Sequence, residues 1–188
     1  MTDPTTALAA RLRGLEDREQ IRELVARYCY VMDDRDLQGM IDLFTEDVVV
    51  ASSDGMMDSQ GRDAVVAMFQ GRWAVLGPSL HWTHDQIVVL DEGDPDRATG
   101  LVQCHAEMTR SGEPRLSSIR YADEFRRCAD GRWRFARRVL SFFYFVSPVE
   151  YAEALGAELR VRAYERPMPA GFPESLETWR RYYAEHPR

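Results

Sequence analysis

Four segments read as β-strands parted by short turns: HWTHDQIVVL (81–90), ATGLVQCHAEMTR (98–110), LSSIRYADEFRRC (116–128) and WRFARRVLSFFYF (133–145). The pieces between them, DEGDPDR, SGEP and ADGR, carry the Gly, Pro and Asp that punctuate tight turns. Long strands joined by short polar turns predict an antiparallel meander, so the fold class is α+β rather than alternating β/α.

Upstream of these strands the period is helical. Leu15, Ile21, Leu24, Val25, Tyr28 and Met32 recur at three- and four-residue steps and predict one amphipathic helix over residues 15–34. Asp36 is the expected N-cap of a short second helix with Leu37, Met40, Ile41 and Phe44 on one face. TEDVVVASS (45–53) predicts a strand, Asp54-Gly55 a turn, and RDAVVAMFQGRW (62–73) a third helix ending near Gly77-Pro78. Beyond Pro148, residues 149–164 are expected to form a helix, RPMPAGFPES (166–175) a proline-rich linker, and ESLETWRRYYAE (174–185) a last helix. The expected division is one domain over residues 1–148. A C-terminal helical extension over 149–188 then packs on the domain or on a partner subunit.

At 188 residues and 45% hydrophobic, the chain has room for a core and a pocket. A net charge of −7 argues against nucleic acid or an anionic membrane surface as the main partner. All 24 basic residues are arginine, which excludes a lysine Schiff base, a P-loop lysine and pyridoxal-phosphate attachment. Cys29, Cys104 and Cys128 lack CxxC spacing and read as free thiols of a reducing compartment. With no signal-peptide-like start and no long apolar run, the expected location is cytoplasmic.

Two distant segments carry the chemistry. YCYVMDDRD (28–36) places Tyr28, Tyr30 and Asp33 late in the first helix, and His81 opens a strand. An imidazole titrates near neutrality and can take a proton from carbon. A carboxylate bonded to it fixes the tautomer and supports the imidazolium, while a tyrosine hydroxyl can polarise a carbonyl or protonate a leaving oxygen. His81, His84 and Asp85 cluster in sequence but do not suit a metal. On a strand His81 and His84 face opposite ways, and His81 and Asp85 stand about 13 Å apart. There is no GxGxxG and no GxSxG elbow, so cofactor-free chemistry is expected.

RYCYVMDDRDLQGMIDLFTEDVVV (27–50), the GRDAV helix start, HWTHDQIVVL and RYADEFRRCADGRWRFARR (120–138) together resemble the SnoaL-like branch of the nuclear transport factor 2 superfamily, over roughly residues 12–148. The resemblance implies a cone-shaped α+β barrel whose curved sheet wraps the N-terminal helices around a deep apolar pocket. It is narrowest toward scytalone dehydratases and hexachlorocyclohexane dehydrochlorinases. Asp33 and His81 fall on the positions of their aspartate and histidine, and the YFVSP segment (144–148) also looks like the dehydrochlorinases. His84 and Asp85 depart from the pattern, which usually has a small or hydroxylated residue followed by Asn. The resemblance makes His105 a candidate second pocket histidine; Tyr121, Arg138 and Tyr144 are candidate polar contacts to a substrate, and Trp82 a candidate apolar one.

The expected function is a cofactor-independent lyase acting on an apolar cyclic small molecule. Elimination of water comes first, and isomerisation or cyclisation would use the same apparatus. A homo-oligomer, dimer or trimer, is the expected assembly. The rival is a non-catalytic ligand-binding protein, or a small subunit like those of ring-hydroxylating oxygenases. Epoxide hydrolysis would ask for an Asp-Arg-Asp set that is not found.

Overall fold

Asp3 caps the first helix by accepting from the Thr6 N–H, and Pro4 occupies a first-turn position where a missing N–H costs nothing. The computed structural model describes residues 3–187, and this helix, α1, runs Pro4–Asp34. Its buried stripe is Ile21, Leu24, Val25, Tyr28, Val31 and Met32, each worth about 1.5–3 kcal/mol of burial. Leu15 was the expected start of the stripe but is 64% exposed, as are Leu8 and Leu12 in large part, so the first turns stand clear of the core. Then follow α2 (Leu37–Leu43), capped by Asp36, β1 (Phe44–Ser52), β2 (Asp58–Gln60) and α3 (Arg62–Trp73). The meander is β3 (Leu76–Leu90), β4 (Arg97–Arg110), β5 (Glu113–Arg127) and β6 (Trp133–Val146).

The six strands form one curved, unclosed sheet in the order β2-β1-β6-β5-β4-β3. All pairs are antiparallel except β1 with β6, which is parallel. With the helices packed on its concave face, this is the α+β architecture that the sequence implies. The third strand begins at Leu76 rather than His81. Pro78 lies inside it because β3 is an edge strand, where a missing N–H leaves no ladder bond unmade. None of the described helices is long and apolar enough to cross a membrane.

Register decides which side chains meet. His81, Ala106, Ser117 and Phe145 form one row across β3 to β6, and Trp82, His105, Ser118 and Tyr144 form the next. Successive rows face opposite ways. The first lines the concave side; the second lies on the convex side.

Two ion pairs with little-exposed carboxylates reinforce the fold. Asp17 on α1 accepts from Arg127 (2.9 Å to Nη2) and from the Trp133 indole N–H (3.1 Å), pinning the helix to the β5–β6 end of the sheet. Arg138 and Asp123, neighbours on β6 and β5, are wholly buried and bonded through two 2.8 Å contacts. Burial opposes the charge on Arg138, and Asp123 overcomes it, so the guanidinium stays cationic.

Residues 149–164 depart from the expected helix. Only Tyr151–Ala154 (α4) is helical; Val161 then bridges Phe145 and Met168 in extended conformation. The buried Arg160 explains this. It donates to the carbonyls of Phe143, Ala157 and Phe172 and pairs with Glu174, and so holds the chain open against β6. The last helix, α5, spans Glu177–Glu185.

Candidate active site

Helix α1 ends at Asp34 because Arg35 turns left-handed, at φ 61°. A non-glycine residue there is strained, and the Arg35 side chain offsets the cost. It donates to Ser79 Oγ (3.1 Å), to the Gly77 carbonyl (2.6 Å) and to the Met32 carbonyl, and its guanidinium lies 5.5 Å from the Trp73 ring. Arg35 thereby fastens the helix end to the start of β3. That junction places Asp33 against His81.

Asp33 Oδ1 lies 2.6 Å from His81 Nδ1, and Oδ2 accepts from the His81 main-chain N–H at 2.7 Å. Ser79 Oγ adds a third bond to Oδ1 at 2.9 Å. Burial opposes ionisation of Asp33, but the His81 and Ser79 donors outweigh it, and its carboxyl is held below the usual range. With a carboxylate on Nδ1, that nitrogen carries the proton, and Nε2 has the lone pair.

His81 lines a cavity shared with Tyr28, Met32, Phe69, Arg72 and Ser117, together with Tyr121, Leu140 and Phe142. The free volume is about 80 Å³. A single ring fits if the unbranched Met32 and Met108 give way. Burial pushes the Tyr28 hydroxyl up to about 12 and raises that of Tyr121 well above its ordinary value. Both stay protonated at neutral pH and are available as donors.

Several expected residues lie elsewhere. Tyr30 is 71% exposed, because a step of two along the helix turns it about 200° from Tyr28. Trp82 and His105 are exposed on the convex face, where His105 contacts His84 at 3.0 Å. Tyr144 shares their row and is buried beneath Tyr151. None of these four lines the cavity. Arg138 sits one layer behind it, with its guanidinium carbon about 4 Å from the Tyr28 and Tyr121 ring centres. Of the residues named from sequence, His81, Tyr28 and Tyr121 line the cavity, and Asp33 holds His81 from the side.

Sequence reasoning missed Ser79, Arg35, Arg72 and Ser117. Ser79 was findable, since a step of two along β3 puts it on the His81 face. Ser117 falls in the His81 row only through two strand registers. Among the described residues no group of three or more His, Cys, Asp or Glu is placed to hold a metal ion, and all three cysteines are free.

The SnoaL-like domain model matches residues 13–139. Among solved structures, a protein of nuclear transport factor 2 type with a cystatin-like fold from Novosphingobium aromaticivorans is 32% identical. The match covers 84% of this chain and 99% of that one, with a TM-score of 0.60. A candidate scytalone dehydratase from N. aromaticivorans DSM 12444 is 21% identical, over 72% of this chain and 89% of that one, with a TM-score of 0.65. The type 3 hexachlorocyclohexane dehydrochlorinase of Novosphingobium barchaimii LL02 is 17% identical, over 73% and 93%, with a TM-score of 0.64. Among curated proteins none matches this chain.

Proposed function

This chain belongs to the SnoaL-like domain family, and within it we propose a cofactor-independent lyase that eliminates water, or a comparable leaving group, from a small cyclic molecule. The observation that carries the proposal is the 2.6 Å Asp33–His81 contact beside a largely apolar cavity. The dehydratase and dehydrochlorinase likenesses support the reaction class.

In the proposed reaction His81 Nε2 takes a proton from a carbon acidified by a neighbouring carbonyl or leaving group. The C–H electron pair becomes the new double bond, and the leaving group departs with its own pair; where that group is hydroxide, the His81 imidazolium returns the proton to it and water leaves. Asp33 stabilises the imidazolium as it forms, a role worth about 10⁴-fold where it has been measured in a comparable pair. Tyr28 or Tyr121 donates to the oxygen on which charge develops. Isomerisation begins with the same proton removal, loses no group, and ends when the imidazolium returns the proton to a different carbon.

Hydrogen–deuterium exchange at carbon tests the base before the true substrate is known. Cyclic β-hydroxyketones in D₂O are expected to exchange their α-proton on the wild type, followed by NMR. His81→Gln should lower that rate by about 10²–10⁴-fold. Equal exchange by wild type and variant would sink the proposal.

A further inference from the structure

The charges around the cavity do not balance. Arg35 and Arg72 both line it, and Asp33 reaches Arg35 through Ser79. Arg35 is spent on the carbonyls that it fastens. Arg72, in the last turn of α3, is not. Among the described residues its hydrogen-bonding contact is the Met57 sulfur, a weak acceptor, and it makes no ion pair. Its electrostatic neighbours are Tyr28, Tyr164 and Tyr121, together with a second cation, Arg110. Arg110 donates to the Ala163 carbonyl and likewise makes no ion pair among the described residues.

Burial holds the Arg72 guanidinium below its ordinary range, and Arg110 pushes the same way. A desolvated cation without a counter-ion is costly, so a ligand that supplies negative charge is favoured there. A second unpaired polar group opens on the same cavity. Ser117 is 1% exposed, its Oγ has no hydrogen-bond partner, and it shares a row with His81.

We infer that the small molecule bound in this cavity carries a carboxylate, received by Arg72 with a second hydrogen bond from Ser117, and that its ring lies between this anchor and His81. The inference rests on the pocket reading above and adds the substrate's charge to it. A planar guanidinium fork suits a carboxylate and pairs with it in two parallel bonds, which ammonium cannot do. The anchor leaves the far side of a single ring facing the base. Phe69, Leu140 and Phe142 supply apolar walls for that ring. Arg72 is thus a specificity-determining residue rather than a reacting one.

Benzoate and its neutral isostere benzamide are the probes, titrated into the full chain while the His81 ring resonances are followed by NMR. Wild type is expected to bind benzoate about ten- to a hundredfold more tightly than benzamide. In Arg72→Gln that preference should vanish, and Arg72→Lys should restore only part of it. Equal affinity for the two probes in wild type overturns the inference, and so does a preference that survives in Arg72→Gln. The wild-type comparison stands alone if Arg72→Gln fails to fold. Benzamide shifting His81 without any charge preference would refute the carboxylate anchor and leave the pocket reading intact. If neither probe reaches His81, both readings fall together.

Discussion

Asp33 holds His81 at two points, one carboxylate oxygen on the ring Nδ1 and the other on the main-chain N–H. The ring cannot turn away without losing the first bond, and the strand cannot slide without losing the second. One side chain at a helix terminus therefore sets both the tautomer of the base and the register of the strand that presents it.

Asp33→Asn keeps the shape and removes the charge. An amide nitrogen facing Nδ1 favours the tautomer with the lone pair on the wrong side. Turnover is expected to fall by about 10⁴-fold, read as the carbon-exchange rate with thermal unfolding as a control for folding. Retention within about tenfold would show that Asp33 does not govern the base.

Asp17 and Asp33 both have folded pKa values below their unfolded ones. For Asp17 burial again opposes ionisation, and Arg127 and Trp133 outweigh it. The unfolded chain thus takes up protons first as pH drops. The stabilisation is complete above the unfolded carboxylate value of about 4 and is lost as pH falls through the lower folded values. In urea titrations Asp17→Asn should cost about 1–3 kcal/mol at pH 7 and flatten the acid limb of the stability curve. An unchanged acid limb would remove Asp17 from this account.

The Arg138–Asp123 pair is wholly buried. Arg138→Met alone strands Asp123 in the core and is expected to cost about 3–5 kcal/mol. Replacing both with apolar residues should return most of that loss. Chemical denaturation of the single and double variants checks it. A double variant as unstable as the single one would mean that the pair is needed for more than neutralising itself.

Placement separates the tyrosines and histidines. Tyr28→Phe is expected to slow turnover by about ten- to a hundredfold. Tyr30→Ala and His105→Ala should leave it within about twofold, because their side chains face solvent. A large loss from either of the latter would put the site on the wrong side of the sheet.

Much of this was legible in the chain. The apolar stripe that ends one residue before Asp33, the Asp36 cap and the four strand runs lead to the fold. The Asp33–His81 pairing came from the family resemblance. What failed was orientation. Trp82, His105 and Tyr144 sit one row over from His81, and a period of two gives no clue to which row faces inward until a strand is paired. Tyr30 lies outside the cavity for a different reason: two residues along the helix from Tyr28, it turns away from the core stripe. Arg35 and Arg72 were invisible because nothing in a local pattern marks which of 24 arginines lacks a carboxylate.

β3 has a neighbouring strand on one side only. Its free margin near His81 is clasped by Asp33 and Arg35, so two side chains do there what a seventh strand would otherwise do. Such a margin opens at lower free energy than the sheet interior. Warming should then abolish the proposed carbon exchange while most helix and sheet signal persists, and amide protons of residues 79–82 should exchange ahead of those at the centre of β5. The clasp acts as the protein's fuse, and the chemistry fails before the fold does.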